Sequence, residues 1–277
     1  MRYLEGEAYL YNGIVHLVKG FQHPPGFLIA YPRYSIIRKT KLQNHEKEIA
    51  TSRIYWDCLK TTIPVIPTTS PYYTGDFIES KIPLYLKTLL EELLETPLYL
   101  TGSALITSEY NDLDFIVYGA TEDTVYKLAE LFNNGVIKKS EYILVKEYIE
   151  KHSHYTSLFN YLYYKKNTLL HGVLEGVHVN FKLLSYERGF NTCVDPVEDY
   201  TYYSGPVKIA RAENLHILPG RYTAVLNNGV EVVLETLREV YAELEPGEYY
   251  VFNARIEHRG SGVYLVPDHG VLTPRIP

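Results

Sequence analysis

Residues 98–118 read LYLTGSALITSEYNDLDFIVY, and within them Asp112 and Asp114 stand two apart on a stretch of apolar, extended character. Strand side chains alternate between faces, so Asp112, Asp114 and Ile116 share one side and Leu113, Phe115 and Val117 the other. Two carboxylates pointing the same way suit a hard divalent cation such as magnesium, which also takes phosphate oxygens from a substrate. Upstream, residues 98–100 read as a short buried strand, and Gly102-Ser103 turns the chain into a short helical segment whose first N–H groups have no partner inside the helix. Such an end attracts phosphate. Taken singly, an Asp-x-Asp is a common solvated strand face and Gly-Ser a common turn. The order strand, Gly-Ser, short helix, Asp-x-Asp, strand is the organisation that metal-assisted phosphate chemistry needs.

With that order the segment resembles the nucleotidyltransferase superfamily, the fold of DNA polymerase beta and of the CCA-adding enzymes, in which a GS motif precedes a DxD or DxE pair. The resemblance implies that Gly102 and Ser103 hold the terminal phosphates of a nucleoside triphosphate and that Asp112 and Asp114 bind magnesium. More loosely, HPPGFLIAYPRY near the start and the β-rich tail after GPVKIARAENLHILPGRYTA are similar to archaeal proteins identified as predicted nucleotidyltransferases. The family pattern has a third carboxylate on a later strand. The strand expected over 176–184, with 169–175 as the other arm of a hairpin, offers Asn180 at that place. A neutral amide is a weaker partner for a catalytic ion than an acid, and cannot assist deprotonation of an attacking hydroxyl as an acid does. Glu175, at the hairpin tip, and Asp195, before Pro196, are the available substitutes; each also reads as a solvated turn or capping residue. Two functions therefore stand side by side. One is magnesium-dependent transfer of a nucleoside monophosphate to a hydroxyl acceptor on RNA, a protein side chain or a small molecule. The other is a nucleic-acid-binding module that keeps the fold but has lost turnover at Asn180.

The net charge of −6 hides an uneven distribution. Residues 19–60 hold eight Lys/Arg against three Asp/Glu, and residues 85–125 one Lys against eight Asp/Glu. Arg33, Arg38, Lys39 and Lys41 form a basic run beside Tyr31 and Tyr34, a composition that tracks a phosphate backbone and stacks bases, RNA more readily than DNA. The alternative is a solvated loop. Lys165 and Lys166 end a long Tyr-rich helix expected over 141–165 and are candidates to reach a triphosphate; lysine also favours helix ends for dipole reasons. The tyrosines of that helix read as packing residues with wet hydroxyls rather than a base platform. His152 and His154, i and i+2 on a helix, make a poor metal pair.

The elements that position these groups suggest an α+β chain in three parts. Residues 1–75 form a β-rich domain with one helix: strands at 3–10 and 14–18 around Asn12-Gly13, a third at 27–34, and a helix at 45–59, followed by an irregular connector at 61–74. Residues 76–203 form a nucleotidyltransferase-type mixed sheet with helices at 79–95, where Leu84, Leu89, Leu90, Leu93 and Leu94 face inward, and at 122–132, stopped by Asn134-Gly135. Residues 204–277 alternate in five short strands, at 207–212, 221–226, 230–236, 249–258 and 263–266, which suit a small OB-like barrel. That barrel either binds oligonucleotides through Arg211, Arg221, Arg255, His258 and Arg259 or packs as architecture. No apolar run approaches bilayer length and residues 1–13 carry no charged-then-apolar leader, so a cytoplasmic protein without a membrane partner is expected. Cys58 and Cys193 are too few for a disulfide framework and lack CxxC spacing, so two reduced thiols are expected and a zinc site is not.

Overall fold

Asn12 and Gly13 take φ of 51° and 73°, the conformation that a tight two-residue hairpin turn demands. They join β1 (Ala8–Tyr11) to β2 (Ile14–Val18), with Tyr11 opposite Ile14. The computed structural model describes residues 3–75, 81–107, 110–153 and 156–275, and in it the chain is mixed α+β with three sheets. It forms two compact units. The first comprises Met1–Gly119, Val177–Phe181 and Tyr186–Pro196, the second Ala120–Gly176, Lys182–Ser185 and Val197–Pro277. No helix among the described residues is long and apolar enough to cross a membrane.

In the first unit the hairpin continues through β3 (Phe27–Ser35) and the two-residue β4 (Thr40–Lys41). The helix expected over 45–59 is confined to α1 (Asn44–Ala50). Beyond it the β-branched and aromatic residues of 51–56 leave the helix for β5 (Ser52–Trp56), which pairs with β6 (Thr61–Pro67) where an irregular connector was expected. The sheet order is β1-β2-β3-β6-β5, with β4 beside β3. Pro64 disguised β6 in the sequence. It is tolerated because the β3 ladder stops at Val65, so at Pro64 the strand has β5 alone as a partner. Then come α2 (Lys81–Leu94), β7 (Tyr99–Thr101) and β8 (Leu113–Tyr118). The inward stripe of α2 is Leu86, Leu90 and Leu94, spaced i, i+4, i+8, whereas Leu84 and Leu93, expected inside, are exposed. The first residues expected in this helix, 79 and 80, lie outside the described residues.

The segment Tyr186–Pro196 straps back onto the N-terminal sheet of its own unit. Phe190 N–H donates to Phe21 O (2.7 Å) and Phe190 O accepts from His23 N–H (2.8 Å), and the Asn191 amide donates to Pro24 O (2.6 Å) and Phe27 O (2.8 Å). Gln22 Oε1 accepts from Val194 N–H at 2.9 Å. These contacts bring Cys193 to Cys58, and the two form a disulfide with Cα atoms 5.8 Å apart. The expectation of two reduced thiols is therefore corrected. Two cysteines 135 residues apart carry no pairing signal, and only the strap brings them together.

The second unit opens with α3 (Glu122–Asn133), ended as expected at Asn134-Gly135 with Gly135 at φ 71°, and β9 (Ile137–Lys138). The single long helix expected over 141–165 is interrupted. α4 (Glu141–Glu147) passes into a π-helical turn at Tyr148–His152, and α5 (Leu158–Lys165) starts afresh where Ser157 Oγ accepts from Asn160 N–H. His154, half of the histidine pair, lies outside the described residues. β10 (His171–Leu174) and β11 (Val177–Leu184) flank the Glu175-Gly176 turn, with Glu175 exposed at φ 48°. The start of β11 belongs to the first unit and its last residues to the second.

From Val197 the chain is β12 (Val197–Ala212), β13 (Ile217–Leu218), β14 (Gly220–Leu226), β15 (Glu231–Thr236), β16 (Gly247–Arg259), β17 (Gly262–Val266) and β18 (Val271–Pro274). The five strands expected from alternation are those that close the barrel, β12-β14-β15-β17-β16 and back to β12; only β15 and β17 run parallel. This small closed barrel is compatible with an OB-like fold. β12 begins ten residues before the expected strand and crosses the expected domain start at Ser204. Tyr222, Ala224 and Leu226 of β14 and Val232 and Leu234 of β15 point inward at every second residue. Tyr161 and Tyr164 of α5 are buried in the same core, and Tyr164 hydroxyl donates to Leu272 O.

Beside them Glu243 is buried with Lys165 Nζ at 2.9 Å and His216 Nδ1 at 3.1 Å, and accepts Leu169 N–H at 3.0 Å. Burial alone pushes the Glu243 carboxyl up, but Lys165, the hydrogen bond and charge of His216, and His171 outweigh it and hold the group far below the usual carboxylate range. A carboxyl depressed in the folded state contributes stability above its unfolded pKa and loses it as pH falls. The melting temperature is therefore expected to drop as pH falls below the ordinary carboxylate value of about 4.5, with Glu243→Gln less stable at pH 7 and its acid-side decline flatter. Thermal melts across pH 3–7 check both expectations. For the strap, Cys58→Ser with Cys193→Ser is expected to cost roughly 2–4 kcal/mol in denaturant unfolding, because the oxidised chain closes a long loop. Equal stability of oxidised and reduced protein would contradict that role.

Candidate functional site

Gly102, directly after β7, takes φ 78°, a conformation that L side chains rarely adopt, and a Cβ built there would lie 2.0 Å from Asp114 Oδ2. The register explains the close approach, since Thr101 is directly opposite Asp114 across the β7–β8 pair. From Gly102 the chain makes a four-residue 3-10 turn, Gly102–Leu105. Within it Ser103 is half-buried, its carbonyl accepting from Ile106 N–H (2.9 Å) and Thr107 N–H (3.1 Å). Along β8 the alternation holds. Leu113, Phe115 and Val117 are wholly buried, while Asp112 and Asp114 are half-exposed. Ile116, on the aspartate side, is also buried, with its Cδ1 where a Cβ on Gly6 would fall.

In the first unit β8 lies between β7 and the opening residues of β11. Val179 and Phe181 of β11 are buried, with the Phe181 ring 6.2 Å from that of Phe115, so Asn180 turns toward the aspartates. Its amide Nδ2 donates to Asp112 Oδ2 at 3.0 Å and to Asp114 Oδ1 at 2.8 Å. Carboxylate oxygens only accept, so the nitrogen must be the atom that faces them. Asn180 thus stands where a third acid was expected and bridges the other two. Among the described residues no three His, Cys, Asp or Glu side chains gather as a metal site. Glu175 is an exposed turn residue, and Asp195 sits in the strap with its N–H directed at Gln22 Oε1 (3.3 Å).

From the N-terminal sheet comes Tyr34, expected as an exposed aromatic beside the basic run, which the structure instead places in the core. Tyr34 of β3 is buried, and its ring packs with Leu105 and Ile106, directly after the Gly102-Ser103 turn. Burial raises its hydroxyl above the ordinary value; the charge of Arg33 acts the other way, and the charges of Asp114 and Asp112 push it further up. Tyr34 therefore lies within the field of the aspartate pair. Of the remaining basic run, Arg38 pairs with Glu46 at 2.6 Å, and Lys39 and Lys41 are exposed on the β3–β4 hairpin.

Lys165 is 2% exposed and held by Glu243, and Lys166 pairs with Glu245 at 2.6 Å over the Tyr163 ring. On the barrel, Arg221 and Arg259 both engage Glu235, and Arg259 and Arg255 both engage Glu257. Arg211 remains largely exposed. No protein-family model, curated protein or solved structure matches the chain.

Gly102→Ala is expected to cost at least about 1–2 kcal/mol from the positive φ alone, and more from the clash with Asp114. In an Asp114→Ala background the cost should fall toward the backbone strain. Urea melts of the four proteins in this cycle measure it, and equal costs in both backgrounds would contradict the close approach.

Proposed function

We propose that the first unit binds a nucleoside triphosphate with magnesium at Asp112 and Asp114 and transfers its nucleoside monophosphate to a hydroxyl acceptor. The observation that supports this most is the convergence of Asp112, Asp114 and the Asn180 amide beside Gly102, whose missing side chain lets the strand end and a carboxylate meet. The donor set suits a hard cation, because two carboxylates and an amide that can turn its oxygen inward are all oxygen ligands. Bound there with the substrate's phosphate oxygens, magnesium would neutralise negative charge developing on the leaving group. The chain's own residues orient and hold. Asp112 and Asp114 fix the cation side of the site, and Asn180 relieves their mutual repulsion. In the transfer the acceptor oxygen bonds to the α-phosphorus, the bond from that phosphorus to the β-phosphate oxygen breaks, pyrophosphate leaves with the electron pair, and the acceptor proton passes to water.

A second reading, nucleotide binding without transfer, is favoured by Asn180, because an amide supplies no third negative ligand for a second cation. One experiment separates the two. Calorimetry with magnesium and each ribonucleoside triphosphate is expected to show binding to the wild type and none to the protein carrying Asp112→Asn and Asp114→Asn, which keeps its fold because both acids are partly exposed. Pyrophosphate release alongside decides turnover. Unchanged affinity in the double variant would sink both readings, and binding without release in the presence of RNA, peptide and small-molecule hydroxyls would leave the second.

A further inference from the structure

α2 carries more apolar surface than the chain covers. Along one flank of its buried stripe runs a second one, Ile82, Tyr85, Leu89 and Leu93, spaced i, i+3, i+7 and i+11. Ile82 and Tyr85 are each 54% exposed and Leu93 39%, with Leu89 half-buried between them. Leu84 is as exposed as Ile82 but projects from another side of the helix. The spacing of the second stripe has the symmetry of an antiparallel pair. With a two-fold axis through its middle, Ile82 lies opposite the partner's Leu93 and Tyr85 opposite the partner's Leu89, so a single pattern completes itself. Charge follows the same symmetry. The first turn of α2 has no acid and its last turn no base, and that last turn holds Glu91 and Glu92 against the helix's own dipole. Glu91 is engaged within the chain by Lys87 Nζ at 2.6 Å and Leu98 N–H at 2.8 Å. Glu92 is exposed, and among the described residues no cation stands at ion-pair distance from it. In an antiparallel copy Glu92 comes beside the positive end of the partner's helix. An anionic membrane surface fits the stripe worse, because an acid rather than lysines borders it.

We propose that α2 is the contact face of a homodimer, in which two copies of the chain pack α2 against α2 antiparallel across a two-fold axis. The stripe is about 16 Å long at 1.5 Å per residue. A contact of that length is smaller than the standard interface of roughly 800 Å² per partner, which places the affinity in the micromolar range. The assignment is independent of the nucleotide reading, since it uses none of the residues at the Asp112–Asp114 site.

Sedimentation equilibrium of the full chain from about 1 to 100 µM tests it, and the wild type is expected to show a monomer–dimer equilibrium within that range. I82S/L93S removes four apolar side chains from each dimer and is expected to raise the dissociation constant at least about tenfold. L84S removes an equally exposed leucine from another face and is expected to leave the dimer unchanged. E92K puts a base where the helix's own dipole favours one, so the monomer keeps its melting temperature while the dimer weakens at least about twofold. Mixed I82C and L93C proteins, treated with a short thiol-reactive cross-linker, are expected to join position 82 to position 93 in preference to either position with itself. A wild type that stays monomeric throughout leaves the stripe to a different partner and overturns the proposal. A dimer that survives I82S/L93S, or that L84S weakens as much, has its contact elsewhere and overturns it too. Like positions cross-linking in preference to the mixed pair, or indifference to E92K, overturns the antiparallel arrangement. If I82S/L93S fails to fold, the E92K and cross-linking results decide alone.

Discussion

Two carboxylates on one strand face, two residues apart and half withdrawn from water, repel each other, and they persist in a folded chain only where donors or cations lie between them. Here an amide group, Asn180 Nδ2, is shared between Asp112 and Asp114. Much of the first unit is arranged around that arrangement. β11 must return beside β8, which the burial of Phe115, Val179 and Phe181 secures, and β7 must offer a glycine where Asp114 approaches. The amide also makes the site adaptable. It donates to both acids through nitrogen, and a rotation about its last side-chain bond would present oxygen to a cation instead.

Distant parts of the chain hold this frame. Thr101 Oγ1 donates to Gly6 O at 2.9 Å and the Tyr118 hydroxyl to Glu5 O at 2.9 Å, so the loop before β1 is laced to both strands of the site. The Tyr186–Pro196 strap is bonded along its length to the N-terminal sheet and then locked by the disulfide. Because the strap's hydrogen bonds are numerous, the disulfide stabilises an arrangement that they already define; its role is to restrict the unfolded chain. The N-terminal sheet is thereby part of the site's surroundings, through Tyr34 against the turn that follows β7.

Local patterns were legible in the sequence wherever one physical signal dominated. Asn12-Gly13 announced its hairpin because few other residue pairs accept two positive φ angles, and the barrel strands showed as strict alternation between glycine turns. The shared face of Asp112 and Asp114 followed from strand geometry alone. Legibility failed where a signal was ambiguous or non-local. Residues 51–56 continue a helical-looking run yet pair as β5, Pro64 disguised β6, and paired leucines left the face of α2 open between two phases. Lys165 reads as a helix-end cation, and only the fold reveals Glu243 beside it. Tyr34 and the Cys58–Cys193 bond depend on contacts between segments far apart in the chain, for which composition and spacing hold no signal.

The central claim is that Asp112, Asp114 and Asn180 make one cation and nucleotide site. Anomalous diffraction from crystals soaked with manganese and a non-hydrolysable nucleoside triphosphate tests it most directly. The account predicts a manganese peak at about 2.1–2.2 Å from oxygens of both aspartates, with triphosphate oxygens on the same ion and Asn180 Nδ2 no longer bonded to both carboxylates. Crystals with nucleotide and manganese bound elsewhere, and with the Asn180 amide still bridging the two acids, would contradict it.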